Sequence, residues 1–217
     1  MHRIKGILFD MDNTLLRSAI DFPEMKREIY AFLAANRLLD EDCAFHRETS
    51  STLIRQARQT GRLTKELEEE TWAIVRKHEV KGMAGAELEP GVRELLNGLV
   101  GCYRLTVVTN NSEEAARAAL AENGILSFFD LVAGRERMAM LKPSPDGFVY
   151  VLESYPDIPA SEWISVGDSW IDGKGAQEAG IRFVAYGTDI AKMREAGVEP
   201  DGKIDHIGQL LDFLASG

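Results

Sequence analysis

The chain has 217 residues, a formal net charge of −10, and 45% hydrophobic against 28% charged residues. This length fits one large domain, or a core domain with an insertion, and the composition is ordinary for a soluble globular protein. The acidic balance argues against a general nucleic-acid binder, whose surface is basic, and gives no support for a polybasic membrane contact.

The first element lies within IKGILFDMDNTLL, residues 4–16. Ile7, Leu8 and Phe9 form a short apolar run of the kind found in a buried strand. Asp10 and Asp12 follow. Two positions apart on an extended backbone, they point to the same side. Burying two negative charges together is unfavourable unless a cation or a reaction uses them. Taken alone, the stretch reads equally well as a strand followed by an acidic turn.

Residues 22–82 carry no strand-like alternation. Asp21 and Pro23 mark a helix start, and Met25, Ile29, Phe32 and Leu33 recur at helical spacing up to Leu38 and Leu39. After a break at 40–42, a second helix is expected over 46–60, ended by Gly61. Thr64 caps a third, running to about Lys81. These helices form an all-helical insertion, assigned to residues 19–83. The core is assigned to 1–18 and 84–217, where helix and strand alternate. Helices are expected at 91–100, 112–123, 145–155, up to Ala179, and at 207–214. Strands are expected at 104–109, 131–133, 163–166 and 182–185. Such alternation implies a three-layer α/β core with a Rossmann-like parallel sheet.

Four polar sites each follow a core strand or lie in the loop beyond it. They are Asp10 and Asp12, then Thr109-Asn110-Asn111, then Lys142 in LKPSP, then Gly167-Asp168-Ser169 with Asp172. Singly the last three read as a strand residue, a rigid turn and a helix-capping turn. A parallel sheet, however, collects its ligands at the carboxyl ends of the strands, which would bring all four sites together. Clustered acids, one ammonium and one hydroxyl suit phosphoryl transfer. Hard oxygen donors facing an anionic substrate call for a divalent cation, best Mg2+. A P-loop is excluded, because Asp168 and Gly175 stand where that motif needs Gly and Ser or Thr.

FDMDNTL, VTNN, KPSP and GDSWID resemble the four motifs of the haloacid dehalogenase-like hydrolase superfamily. The helical insertion resembles the C1 cap of its phosphoglycolate phosphatase-like members, and EPGVRELLNGL resembles their cap-to-core return. The resemblance implies a Mg2+-dependent phosphatase acting on a small phosphorylated metabolite, of phosphoglycolate or sugar phosphate type. It implies Asp10 as nucleophile, forming an aspartyl-phosphate, and Asp12 as general acid and then base. It implies Mg2+ held by Asp10, the Asp12 carbonyl and Asp168, with Asp172 supporting. Thr109 and the Asn110 amide would hold phosphoryl oxygens, and Lys142 would offset charge. A sugar phosphomutase of the β-phosphoglucomutase type shares these motifs and is the alternative. A non-catalytic binding protein ranks below both, because Asp10, Asp12, Thr109, Lys142, Asp168 and Asp172 are all present. Members that remove halogen lack an acid at the position of Asp12, so dehalogenation is not expected. Asn13 stands where Gly is usual, a turn conformation that Asn tolerates.

The insertion also holds a basic island: Arg47, Arg55, Arg58, Arg62 and Lys65 against Glu48. It reads as a solvated face balanced by Glu66, Glu68, Glu69 and Glu70. The sharper expectation is that Arg55 or Arg58 grips an anionic leaving group. His2, His46, His78 and His206 are scattered, with no zinc-site spacing. Cys43 and Cys102 are far apart, as for reduced thiols in the cytoplasm. No signal peptide is expected, because Asp10 and Asp12 interrupt the apolar start, and no run reaches membrane-spanning length. Nothing in the sequence speaks to oligomeric state.

Overall fold

The computed structural model describes residues 3–40 and 44–216. Along the chain it forms β1 (Gly6–Phe9), β2 (Leu16–Arg17), α1 (Phe22–Ala35), α2 (Ser50–Gln59), α3 (Lys65–Met83), β3 (Glu87–Leu88), α4 (Val92–Leu99), β4 (Arg104–Val108), α5 (Glu113–Glu122), β5 (Leu131–Ala133), α6 (Asp146–Ser154), β6 (Trp163–Gly167), α7 (Trp170–Glu178), β7 (Arg182–Tyr186), α8 (Ile190–Glu195), β8 (Gly202–Ile204) and α9 (Leu210–Ser216). Cys43, His2 and residues 41–42 of the expected inter-helix break lie outside the described residues. Two compact units result: Met1–Arg17 with Ala86–Gly217, and Ser18–Gly85.

In the first unit, six strands pair in the order β5-β4-β1-β6-β7-β8, every neighbour parallel. β1 is central, and its four residues are all buried, as a strand covered by helices on both faces must be. The chain runs outward from β1 through β4 and β5 on one side, then returns to β6, β7 and β8 on the other, so β1 ends at a switch point of the sheet. Two glycines set close approaches. A Cβ on Gly6 would stand 2.2 Å from the Trp163 ring, and one on Gly167 would stand 2.7 Å from the Asp172 side chain. Trp163, Phe148, Phe183 and Val151 fill the core between the sheet and α6 to α8. α4 turns Val92, Leu95, Leu96 and Leu99 inward, the apolar stripe expected of an amphipathic helix.

The second unit is helical. Met25, Ile29 and Leu33 of α1 pack with Leu53, Ile54 and Ala57 of α2 and Val75 of α3. Asp21 accepts from the Glu24 amide at 2.9 Å and starts α1 with Pro23 in its first turn. α2 begins at Ser50, four residues after the expected start at 46. Thr49 and Thr52 close a reciprocal capping box there (3.1 and 2.8 Å), and residues 45–47 make a separate 3-10 turn. Thr64 caps α3 through the Leu67 amide at 3.3 Å. Among the described residues, no helix is long and apolar enough to cross a membrane.

Candidate active site

The carboxyl ends of β1, β4 and β6 deliver the site. Asp10 follows β1 directly, and its amide bonds the Val166 carbonyl at 2.9 Å, continuing the β1–β6 ladder one residue beyond the strand. Asp12 sits in a tight loop in which the Asn13 amide donates to the Leu16 carbonyl at 2.7 Å. Asn13 has φ +56°, the left-handed conformation that makes Gly or Asn the suitable residue at this turn. Thr109 and Asn111, both buried, follow β4.

The Lys142 ammonium ties these ends together. Its Nζ donates to Asp10 Oδ1 at 2.6 Å, to Asp172 Oδ1 at 2.6 Å and to the Val108 carbonyl at 2.8 Å, so all three protons are used. Lys142 is 1% exposed. The backbone that carries it is gripped by Asn110, whose Oδ1 accepts from the Lys142 amide at 2.8 Å and whose Nδ2 donates to the Lys142 carbonyl at 3.1 Å. Asp172 uses its other oxygen, Oδ2, to accept from the Ser169 amide at 3.1 Å at the start of α7. Asn111 Nδ2 donates to Asp12 Oδ2 at 2.8 Å. The Thr109 hydroxyl accepts from the Asn111 amide at 3.1 Å, which leaves its own proton to donate elsewhere.

One ammonium does not balance this many acids. Asp10, Asp168 and Asp172 offer carboxylate oxygens all within 4.8 Å of one another. Burial first, then the charges of Asp10 and Asp172, push Asp168 up to about 8. Burial and then Asp10 push Asp172 up to about 6 against the pull of Lys142. Burial would lower the Lys142 ammonium, but Asp10 and Asp172 outweigh it and hold it above its ordinary value. The directions agree: the cluster has surplus negative charge and draws in cations or protons. Two unit charges about 4.8 Å apart repel by roughly 3 kcal/mol at an effective dielectric of about 20. A divalent cation bound by hard oxygen donors fits this donor set. Asp172 has both oxygens engaged with Lys142 and Ser169. The oxygens of Asp10 and Asp168 are therefore better disposed to meet a cation.

The expected residues thus divide. Asp10, Lys142, Asp168 and Asp172 come together in one cluster, with Asp12 in the loop after β1 and Thr109 at the end of the neighbouring β4. Asn110 is present, but its side chain braces Lys142. Asn111, not singled out from VTNN in the sequence, touches Asp12 directly; the repeated Asn was its only signal. In the helical unit, Arg55 is exposed on α2, and Arg58 Nε donates to Glu68 Oε1 at 2.8 Å.

The chain resembles known proteins along most of its length. The sequence model of the family described as haloacid dehalogenase-like hydrolase matches residues 7–186. A phosphoglycolate phosphatase of Rhodobacter capsulatus is 29% identical over 220 residues, covering 97% of this chain and 94% of that protein. Among solved structures, a HAD-superfamily hydrolase of subfamily IA from Geobacter sulfurreducens superposes with a TM-score of 0.61 at 24% identity, covering 97% of this chain and 96% of its own. The HAD-type protein YfnB of Bacillus subtilis, solved bound to magnesium, gives 0.65 at 23% identity, covering 98% and 99%.

Proposed function

This chain belongs to the haloacid dehalogenase-like hydrolase family, and from that premise we propose that it is a Mg2+-dependent phosphatase of small phosphorylated metabolites, of the phosphoglycolate or sugar phosphate type. The observation that carries the reading is the buried Lys142 ammonium bonded to both Asp10 and Asp172, beside Asp168, at the switch point of the sheet. The phosphoglycolate phosphatase relative, alike along nearly its whole length, supports a phosphomonoester as substrate.

The Asp10 carboxylate attacks phosphorus in line with the ester oxygen, and a bond from Asp10 to phosphorus replaces the ester bond. Asp12 gives a proton to the departing oxygen, so the alcohol leaves neutral. Asp12 then takes a proton from the water that attacks the aspartyl-phosphate, and Asp10 is released as carboxylate with inorganic phosphate. Lys142 holds Asp10 oriented and offsets its charge. The Thr109 hydroxyl and the Asn110 backbone amide meet the phosphoryl oxygens. Asp10, Asp168 and the Asp12 carbonyl would hold Mg2+, with Asp172 supporting them through its contacts to Lys142 and Ser169. When bound, the cation neutralises the phosphoryl oxygens against the surrounding carboxylates.

The test is a panel of phosphorylated metabolites with Mg2+, with Asp10→Asn as the blank. Phosphate release from at least one ester by the wild type, and none by the variant, is the expected result. Wild type and variant equally silent on every ester would overturn it.

A further inference from the structure

The family chemistry uses Thr109 and the residue after it, and gives no task to Asn111. In the fold Asn111 is 5% exposed and is anchored on both sides. Its amide donates to the Thr109 hydroxyl at 3.1 Å, and its carbonyl accepts from the Arg135 amide at 2.9 Å. From that fixed backbone its Nδ2 reaches Asp12 Oδ2 at 2.8 Å. A carboxylate oxygen only accepts, so the carboxamide must present its NH2 here and cannot rotate away without losing the bond. Asp12 leaves β1 in a short loop and is joined to Asn111 across the gap between two strand ends.

From these contacts we propose that Asn111 is the positioning residue of the acid–base step. It holds Asp12 in one rotamer with Oδ2 engaged, so that the transferable proton of Asp12 sits on Oδ1. A proton on Oδ2 would face the hydrogens of Nδ2, so Oδ1 carries it. The inference rests on Asp12 acting as general acid and base. In that step the Oδ1 proton passes to the ester oxygen as the phosphorus–oxygen bond breaks and its electron pair stays on that oxygen. In the second half, Oδ1 takes a proton from the attacking water while the bond from phosphorus to Asp10 breaks. Asn111 touches no reacting atom. It sets which Asp12 oxygen is presented.

Positioning predicts a dependence on the leaving group that a merely structural role does not. An alkoxide leaving group needs a proton from Asp12, whereas 4-nitrophenolate is stable enough to leave with little help. Asn111→Ala and Asn111→Asp should be compared with wild type on alkyl phosphates and on 4-nitrophenyl phosphate, with saturating Mg2+. The expected result is a loss in kcat of about 10- to 100-fold on alkyl esters and under about 3-fold on the nitrophenyl ester, general acid–base catalysis being worth about 100- to 10,000-fold in full. Asn111→Asp, which sets a carboxylate against Asp12, should be the worse of the two on alkyl esters. Equal losses on both ester types, or none, overturn the proposal and leave the phosphatase reading standing. If Asp10→Asn remains as active as wild type, the phosphatase reading itself falls. Should Asn111→Ala fail to fold, Asn111→Ser gives the same leaving-group comparison.

Discussion

Replacing Lys142 with methionine tests the electrostatics on which the site is built. The substitution keeps an unbranched chain of similar length and removes three hydrogen bonds, at 2.6, 2.6 and 2.8 Å. It strands Asp10 and Asp172, whose side chains are 11% and 2% exposed. Deleting one partner of a buried ion pair costs about 3–5 kcal/mol, because the remaining charge has no water to turn to. The stranded acids can escape by taking up protons, and that fixes the pH dependence. Asp172 already stands at about 6 with Lys142 pulling it down, so it rises further once the ammonium is gone. A carboxyl with a folded pKa above its unfolded value carries no penalty below about pH 4. The penalty then grows by about 1.4 kcal/mol per pH unit as the pH climbs towards the folded pKa. In chelator-treated buffer the variant should therefore lose about 3–5 kcal/mol at about pH 8 and clearly less at about pH 5. Hydrogen exchange of the β1 and β6 amides reads this out, since those strands report on the sheet unit and not on the helical one. A loss below about 1 kcal/mol at the higher pH, or the same loss at both, would refute the reasoning.

Other outcomes follow from the same contacts. Because Asp168 is pushed up to about 8, protons compete with a divalent cation for it. Added Mg2+ should raise the melting temperature of the core more at about pH 8.5 than at about pH 6, and an equal shift at both would contradict the assignment. Arg58 is committed to Glu68 in a partly exposed pair, so Arg58→Ala should cost at most about 1 kcal/mol of helical-unit stability by urea unfolding. Arg55 is exposed on the same helix, and the proposal to be tested there is that it grips an anionic leaving group. Arg55→Ala should raise KM for the physiological ester and leave that for 4-nitrophenyl phosphate unchanged; a parallel rise would remove Arg55 from consideration. Gly6→Ala would drive a methyl to 2.2 Å from the Trp163 ring, and should destabilise the sheet unit by about 1–3 kcal/mol or more in calorimetry.

What could be read from the sequence depended on how locally each signal is written. β1, β4, β6 and β7 were legible because a strand buried on both faces is a nearly continuous apolar run, with Thr106 and Ser165 the polar members inside it. β8 was not, because a three-residue edge strand with only Ile204 buried has no period to detect. β2 and β3 pair through two residues each, too few for any pattern. α8 escaped for a similar reason, with Met193 its only buried residue. The expected start of α2 at 46 differs from the observed one because the capping box of Thr49 and Thr52 fixes the first turn at Ser50. At the site, each acid or lysine follows an apolar strand or its loop, so the cluster could be anticipated from topology. The carboxamide contacts could not. Asn111 meets Asp12 across 99 positions and Asn110 meets Lys142 across 32, and no short-range pattern encodes either.

The small ladder of β2 and β3 pairs Leu16 with Leu88 and Arg17 with Glu87 in antiparallel fashion. The segment Ser18–Gly85 therefore departs and returns through hydrogen-bonded neighbours. To the sheet, that whole helical segment is equivalent to the turn of a β-hairpin. Closing a longer loop between fixed ends adds entropy cost only logarithmically, at about 0.6 kcal/mol per doubling of length. A different insert, or a two-residue turn, could then close the same ladder without disturbing the register of β1. The ends of the helical segment are thus set by the β2–β3 ladder, independently of how long that segment is.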